Sequence, residues 1–293
     1  MSLTENLGRT ALLKVARTSE FGFFLTDGEE DVLLHKNEAK QSYEEGDELE
    51  VFLYTDSQGR IAAADKIPAI QVERYEWVPV TDVNPGLGVF LDIGIQKELL
   101  LGEEDLPAHK GVWPKQGDLV YATIRVNRNN RLYARLATDK VFEEIAVKAG
   151  NEDFNKNIQG HIYRTAKVGS WIYTADGFKG FIHESQRGRE PRLGERVEGR
   201  IIDVKADGTV NVSLLKRKHD VMDQDAETVL AYLVSRNGAM PYWDKSLPDE
   251  ITERFQMSKA AFKRALGKLI KEDMIYQEEG WTYLKKDEDR QSK

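Results

Sequence analysis

Residues 169–185 read GSWIYTADGFKGFIHES, and the architecture of the whole chain can be worked out from this segment. It places an aromatic residue, Trp171, two positions after a glycine, and a histidine, His183, at the end of a second alternating run. A glycine-acid turn, Gly194-Glu195, and a hairpin turn, Asp207-Gly208, follow. Alternating apolar residues bounded by such turns predict a small domain of short antiparallel strands.

The same landmarks occur in three units at matching offsets. The aromatic positions are Phe24, Phe90 and Trp171. A glycine-acid turn follows after 22, 27 and 23 residues, and a polar hairpin turn follows it after another 13, 13 and 14 residues. Between these turns, strands are predicted at 49–53, 119–124 and 197–201. A chance similarity among generic β-segments is the alternative, but three landmarks in register favour a repeat. Units of about 65 to 70 residues with many short strands are typical of closed five-stranded OB-type barrels.

The last seventy residues follow a different pattern, because the hydrophobic period changes from two to about 3.6 near Asp225. A first helix is predicted up to Asn237-Gly238, a second from Pro248, and a third capped by Ser258. In the third helix the predicted inward residues are Phe262, Leu266, Leu269 and Ile270, and the predicted outward residues are Lys259, Lys263, Arg264, Lys268 and Lys271. A hairpin over residues 274–284 completes a winged helix, and residues 285–293 are predicted to be a charged, frayed end.

The sequence therefore predicts a multidomain chain of all-β barrels with a C-terminal α/β winged helix-turn-helix domain. The predicted boundaries are 1–67 and 68–140 for the first two barrels, 141–154 for a linker, 155–218 for the third barrel and 219–293 for the winged helix.

Composition excludes several functional classes. With no cysteine among 293 residues, the chain has no disulfides, thiolate metal sites or thiol nucleophiles. The five histidines, His35, His109, His161, His183 and His219, show no metal-ligand spacing, and the pair Gly267-Lys268 lacks the other glycine of a phosphate loop. We therefore expect no enzymatic activity, no catalytic residues, no metal and no cofactor. A secretory signal and an apolar run of about 20 residues are also absent, so a cytoplasmic location without membrane contact is expected.

The charge is distributed unevenly. The chain has a net charge of −8, but residues 155–220 carry 13 Lys and Arg against eight Asp and Glu, which is +5. Residues 1–67 carry seven against 14, which is −7. Because phosphate backbones are drawn to basic surface, the third barrel is the expected nucleic-acid site.

The three units resemble the S1 RNA-binding domain family, whose repeats carry a Gly-small-aromatic strand, a Gly-Leu-Val-His-like strand and a Gly-acid turn. The third unit matches best, the first keeps Phe21, Phe24 and His35, and the second is degenerate because residues 98–102, ELLLG, have no histidine. Three such repeats followed by MSKAAFKRALGKL at residues 257–269 resemble the conserved virulence regulatory factor B (CvfB/YitL-like) family of bacterial RNA-binding proteins. The resemblance covers nearly the whole chain and implies RNA binding and gene regulation, including virulence regulation, without a defined reaction.

The third barrel is expected to stack unpaired bases. Side chains alternate along a strand, so Trp171 and Tyr173 lie opposite Ile172, while Phe181 and His183 lie opposite Ile182. With the isoleucines inside, the rings face outward, where bases can stack on them. The alternatives are partial burial of the rings against a neighbouring barrel and, for His183, a structural hydrogen bond.

Basic residues near these rings are predicted to attract the RNA backbone. They are Arg164, Lys167, Lys179 and Arg200 on or beside the strands, and Arg187, Arg189, Arg192 and Arg196 in and after the loop. In the first barrel Phe21, Phe24 and His35 repeat the pattern in an acidic setting, which predicts a weaker RNA site or a protein contact. Phe90 in the second barrel is interpreted as a core or inter-domain residue.

Single-stranded RNA is the expected partner, and three other functions stay open. The helix 259–271 predicts a DNA-binding transcription regulator if it enters a major groove, although winged helices also serve as packing or protein-contact modules. A scaffold that binds proteins through the first or second barrel is the second. A ribonuclease is the third, and the scattered carboxylates give it little support.

Overall fold

A computed structural model describes residues 2–285 of the chain, without the side chains of residues 218–222. The chain forms two compact units, Met1–Leu215 and Lys216–Lys293. The predicted frayed end lies outside the described residues from position 286 onward, as does the side chain of His219. No helix in the described part of the chain is long and apolar enough to cross a bilayer.

The first unit consists of three closed barrels that share one strand order, in which the fifth strand lies between the third and the fourth. The first barrel contains β1 (Thr10–Ser19), β2 (Gly22–Thr26), β3 (Asp31–His35), β4 (Glu48–Thr55) and β5 (Ile61–Ala64). The second contains β6 (Glu76–Asn84), β7 (Gly88–Leu91), β8 (Leu99–Gly102), β9 (Leu119–Val126) and β10 (Leu132–Leu136). The third contains β11 (Asn157–Ala166), β12 (Gly169–Thr174), β13 (Lys179–His183), β14 (Arg196–Val204) and β15 (Val210–Ser213). The prediction of three OB-type barrels is confirmed.

The alternating strands bury one face, as the sequence predicts. In the third barrel, Ile162, Ile172 and Ile182 on three neighbouring strands are fully buried. The glycine before each aromatic position is required by close packing: a Cβ on Gly22 or Gly88 would lie 2.1 Å from a carbonyl oxygen of the adjacent strand. Only glycine fits at that distance, and this explains the repeated Gly-X-aromatic motif.

The barrels are packed together. The first and second share one hydrophobic core, to which Leu193 of the third barrel contributes. Between the second and third barrels, Arg192 donates two hydrogen bonds to Asp118, at 2.9 and 3.0 Å. Leu119 N donates to Gly194 O at 3.1 Å, and Leu193 N donates to Val112 O at 2.9 Å. The glycine-acid turn of the third barrel is therefore part of its junction with the second.

The segment predicted as a linker, 141–154, packs against the third barrel. Its first residues belong to helix α1 (Asp139–Ile145), whose Phe142 is fully buried. The Phe142 ring stacks on Tyr163 with centroids 3.9 Å apart. Further along, Val147 forms a bridge to Phe178. The segment thus covers part of the outer surface of the barrel that it precedes.

The second unit is the predicted winged helix. Its elements are α2 (Lys218–Ser235), β16 (Ala239–Met240), α3 (Pro248–Phe255), α4 (Lys259–Lys271), β17 (Ile275–Glu278) and β18 (Trp281–Leu284). Ser258 caps α4 by accepting a hydrogen bond from Ala261 N. The hairpin gains a third strand, β16, that was not predicted from the sequence.

One inward residue of α4 is wrongly predicted. Ile270 is 45% exposed, whereas the buried stripe of the helix includes Phe262, Leu266 and Leu269. Successive helical residues are about 100° apart, so a residue directly after Leu269 lies beyond the edge of a narrow stripe.

Candidate nucleic-acid interface

The outer surface of the third barrel carries a row of flat side chains. Trp171 on β12 pairs with Phe181 on β13 and with Arg164 on β11. The Trp171 and Phe181 rings are 5.0 Å apart, and the Arg164 guanidinium lies 4.3 Å from the centre of the Trp171 ring. His183 meets the edge of Phe181 at 6.4 Å. These four residues are called the third-barrel face below.

The third-barrel face is accessible. Arg164 and His183 are exposed, and Trp171 and Phe181 are half-buried. Burial against a neighbouring barrel, the alternative considered from the sequence, therefore does not seal Trp171 or His183. The face offers adjacent planar surfaces next to a cation, an arrangement on which unpaired bases stack.

His183 has a defined tautomer in its neutral form. The backbone N–H of Ser185 donates to Nδ1 at 3.2 Å, and the Ser185 hydroxyl lies 2.9 Å from the same atom. Because Nδ1 accepts, the ring proton is on Nε2. His35 in the first barrel makes the same contact, with Asn37 N donating to its Nδ1 at 3.2 Å. Each histidine thus combines a structural hydrogen bond with a second nitrogen that can donate.

Tyr173 is half-buried and lies apart from the third-barrel face, in the setting of the alternative prediction, partial burial against a neighbouring barrel. Its ring lies 5.4 Å from that of Phe142 and 6.5 Å from that of Trp77. Its hydroxyl donates to Ile145 O at 3.2 Å. Helix α1 and the second barrel both pack against this part of β12. The sequence of the third repeat does not predict this packing, because the contacting residues Phe142 and Trp77 lie outside the repeat.

Two of the predicted backbone-binding cations are paired with helix α1. Arg164 forms an ion pair with Asp139, and Lys179 lies 2.8 Å from Glu143 and 3.4 Å from Asp139. Burial alone would raise the pKa of Asp139, but the hydrogen bond from Tyr163 and the charges of Lys179 and Arg164 outweigh burial and lower it. The side chain of Lys179 is only 13% exposed and is paired with two carboxylates, which leaves it less available than Arg164 for the predicted attraction of the RNA backbone.

The other predicted cations of this barrel divide into two groups. Lys167 and Arg196 are exposed, and half-buried Arg200 donates to Asn155 at 3.1 Å. By contrast, Arg187 has a side chain only 7% exposed and bonds to Ser170.

The remaining loop arginines are also engaged. Arg189 pairs with Glu195, and Arg192 bonds to Asp118. Arg187 and Arg192 are therefore little available for the predicted attraction of the RNA backbone, because they hold the loop and the barrel junction in place, whereas Arg189 stays 65% exposed beside Glu195.

The first barrel repeats the arrangement of the third. Arg17 pairs with Phe24 across β1 and β2, and its guanidinium lies 4.0 Å from the Phe24 ring centre. Leu33 stands opposite Phe24, and His35 stands opposite Gly22. Phe21 is exposed in the preceding turn. Phe24 and His35 therefore share an outer face, with a leucine in place of the second ring.

Arg17 was not predicted as a site residue, although the sequence contains a signal for it. Arg17 precedes Phe24 by seven residues, and Arg164 precedes Trp171 by the same interval. In both barrels a bulge before the arginine brings it level with the ring. Aligning the units on the aromatic position would have paired the two arginines.

The second barrel lacks this constellation. Asp82 stands opposite Phe90 where the other barrels have arginine, and Leu100 stands on its other side. Gly102 occupies the histidine position. Phe90 itself is half-buried between the buried Val89 and Leu91 and is not among the residues of the barrel core. Its interpretation as a core residue is therefore wrong, because it lies on the outer face.

The basic side chains of α4 are not equivalent. Lys263, Arg264 and Lys271 are exposed, and Lys263 lies 3.9 Å from Asp244. The half-buried Lys259 donates to Lys245 O at 3.5 Å. Lys268 is half-buried and pairs with Asp223 and Glu272, which leaves it less available for the predicted contact with nucleic acid.

Comparison with known families assigns every part of this architecture. The S1 domain matches residues 7–65, and the CvfB first S1-like domain matches residues 75–135. The second domain of virulence regulatory factor CvfB matches residues 142–216, and the CvfB-like winged helix domain matches residues 227–284.

Individual relatives are similar along most of their length. The chain is 50% identical over 279 residues to the uncharacterized protein YitL of Bacillus subtilis, which is 95% of this chain and 94% of the relative. It is 38% identical over 262 residues to conserved virulence factor B of Staphylococcus epidermidis, which is 88% of this chain and 87% of the relative. A crystal structure of a multidomain protein with nucleic acid binding domains from Streptococcus pneumoniae aligns with a TM-score of 0.67 and 33% identity, covering 96% of this chain and 99% of that one.

Proposed function

The chain belongs to the conserved virulence factor B family, and on this basis we propose that it is a gene-regulatory protein that binds single-stranded RNA without cutting it. The observation that carries the proposal is the third-barrel face, in which two aromatic rings and a guanidinium lie side by side in the part of the chain with a net charge of +5. The S1 match and the nucleic acid binding domains named for the streptococcal structure support the same function.

Single-stranded RNA fits this face better than a duplex does. Bases in a duplex are stacked on one another and present only their edges, whereas unpaired bases expose the ring faces that aromatic side chains and arginine bind. Trp171 already stacks with Arg164, so planar cationic and aromatic groups lie together on this surface. His183 adds a hydrogen-bond donor, Nε2, at the edge of the row.

A second candidate function is duplex DNA binding by the winged helix. It is favoured by the exposed Lys263, Arg264 and Lys271 on α4, the helix that enters the major groove in DNA-binding members of this fold. A competition experiment separates the two. With a labelled single-stranded RNA bound to the full chain, we expect unlabelled RNA to displace the probe far better than duplex DNA of equal length. The reverse order would assign the function to the winged helix.

A non-catalytic role has its own test. The full chain is incubated with end-labelled RNA and Mg²⁺, and the length of the RNA is followed over time. We expect intact RNA, and its shortening in proportion to protein concentration would identify a ribonuclease.

Replacing Asp139 with asparagine is expected to strengthen RNA binding. Asp139 pairs with Arg164 of the third-barrel face, and the asparagine keeps a hydrogen-bond acceptor for Tyr163 while removing the charge. Arg164 then becomes available to phosphate, so the plot of log affinity against log salt concentration should steepen by about 0.7. Fluorescence anisotropy across a salt series measures both effects. Glu144→Gln is the matched control, because Glu144 lies on the same helix and pairs with Lys140. Equal behaviour of the two variants would show that Asp139 does not restrain Arg164.

A further inference from the structure

A cleft of about 540 Å³ lies between the second and third barrels, beside the third-barrel face. Trp77 of β6 forms one wall, and Gln159, His161, Tyr173 and Arg196 of the third barrel form the other. Its size is within the range of pockets that hold small organic ligands, about 300 to 1,000 Å³.

The cleft continues the surface of the third-barrel face. Along β12, Tyr173 follows Trp171 by two residues on the same side of the strand, a separation of about 6.6 Å. His161 stands opposite Tyr173 on β11, and Arg196 stands opposite His161 on β14. A strand of RNA that crosses Trp171 therefore reaches this second row within about one nucleotide.

The walls of the cleft have the chemistry that recognises a nucleotide. The rings of Trp77 and His161 are 5.0 Å apart, and Tyr173 lies 6.5 Å from Trp77. His161 Nδ1 is 3.2 Å from Gly194 O, a carbonyl that can only accept, so Nδ1 donates and Nε2 of the neutral ring is an acceptor. Among the described residues that line the cleft, Arg196 is the one with a charge, and it is exposed.

We propose that this cleft is a second nucleotide-binding site, which holds a base of the same RNA strand that crosses the third-barrel face. Trp77, His161 and Tyr173 provide ring surfaces for the base, and Arg196 attracts the phosphate that follows it. The inference rests on the proposed function, because the strand is delivered by Trp171 and Phe181. It gives the second barrel a part in RNA binding through Trp77, although that barrel lacks the aromatic, arginine and histidine constellation of the other two.

The test compares two probe lengths. The probes are fluorescein-labelled oligouridylates of about 2 and about 12 nucleotides, the longer of which is within the range bound by single OB folds. The shorter probe covers only the two rings of the third-barrel face, Trp171 and Phe181, and the longer one also reaches the cleft. In full-length protein, His161→Ala and Arg196→Gln should each weaken binding of the longer probe by about fivefold or more while leaving the shorter probe unchanged. Arg128→Gln, which removes an exposed charge from a hairpin turn of the second barrel, is the control for charge loss alone.

A crosslinking readout distinguishes contact from an indirect effect on packing. With 4-thiouridine at each position of the longer probe in turn, we expect irradiation to attach one position to the peptide containing Trp77 and another to the peptide containing Trp171. Attachment to Trp171 alone, with the cleft variants binding the longer probe normally, would refute the cleft site and leave the proposed function intact. Normal binding of both probes by Trp171→Ala would place the RNA site elsewhere and remove the basis of the inference, and failure of the parent chain to bind either probe would refute the proposed function itself.

Discussion

Replacing Trp171 with alanine is expected to weaken binding of single-stranded RNA by about 1 to 3 kcal/mol, a loss of about 5- to 150-fold. The indole is the centre of the third-barrel face, since Phe181 lies on one side at 5.0 Å and Arg164 on the other at 4.3 Å. Its removal takes away one stacking surface and leaves the guanidinium without the ring that orients it. Isothermal titration or fluorescence anisotropy with an unstructured RNA measures the loss.

The repeat supplies a matched control for this experiment. Phe90 occupies the corresponding position of the second barrel, on the outer face and half-buried, but faces Asp82 instead of an arginine. We expect Phe90→Ala to change RNA affinity by less than about twofold, and the thermal unfolding of both variants to resemble that of the parent chain. If the two variants lose the same affinity, aromatic exposure alone and not the arginine-aromatic pair determines binding. If Trp171→Ala binds normally, the RNA site lies elsewhere on the chain.

Replacing Phe142 with alanine is expected to destabilise the barrel unit by about 3 to 5 kcal/mol. The ring is fully buried and packs among four aromatic side chains, with centroids 3.9 Å from Tyr163, 5.3 Å from Tyr121, 5.4 Å from Tyr173 and 6.2 Å from Trp77. Alanine leaves a cavity that these rigid rings cannot close by small movements. Denaturant unfolding followed by tryptophan fluorescence measures the change, because Trp77 and Trp171 both belong to this cluster.

The control is a nearby apolar residue without such packing. Val147 lies five positions after Phe142 and is 54% exposed, so Val147→Ala should change the free energy of unfolding by about 0.5 kcal/mol or less. A Phe142→Ala variant as stable as the Val147→Ala variant would mean that α1 adds nothing to the stability of the barrels. Weaker RNA binding in a folded Phe142→Ala variant would in turn show that α1 positions the third-barrel face.

The fold could be predicted from the sequence because its determinants are local. Turn residues such as Gly194 and Asn130 adopt positive φ angles and punctuate the strands, and the alternation around Ile172 and Ile182 sets their inner face. The same holds for the winged helix, where Ser258 and Gly238 mark helix ends. Each of these residues determines the backbone conformation only of its immediate neighbours in the sequence.

The site was less predictable because it depends on contacts between distant segments. Trp171 and Tyr173 lie on the same side of one strand, but Tyr173 packs against Trp77 and α1, whereas Trp171 lies beside Phe181 and Arg164. Lys179 and Arg192 look like free cations in the sequence, but carboxylates 36 and 74 residues away pair with them. One difference between the first two barrels could be predicted from the sequence: Arg17 stands opposite the aromatic residue in the first barrel, and Asp82 stands there in the second. This prediction requires the units to be aligned on their aromatic position.

The shared core of the barrels determines how the chain can be dissected. Leu193 of the third barrel is 2% exposed within the hydrophobic core of the first two, so a fragment that ends before it would leave a hole in that core. A fragment that begins with the third barrel would in turn expose Leu193 to water and remove the carboxylate of Asp118 from Arg192. Loss of binding in a truncated chain would therefore indicate damaged folding as readily as a missing contact. Point substitutions in the full chain are needed to determine which barrel binds RNA.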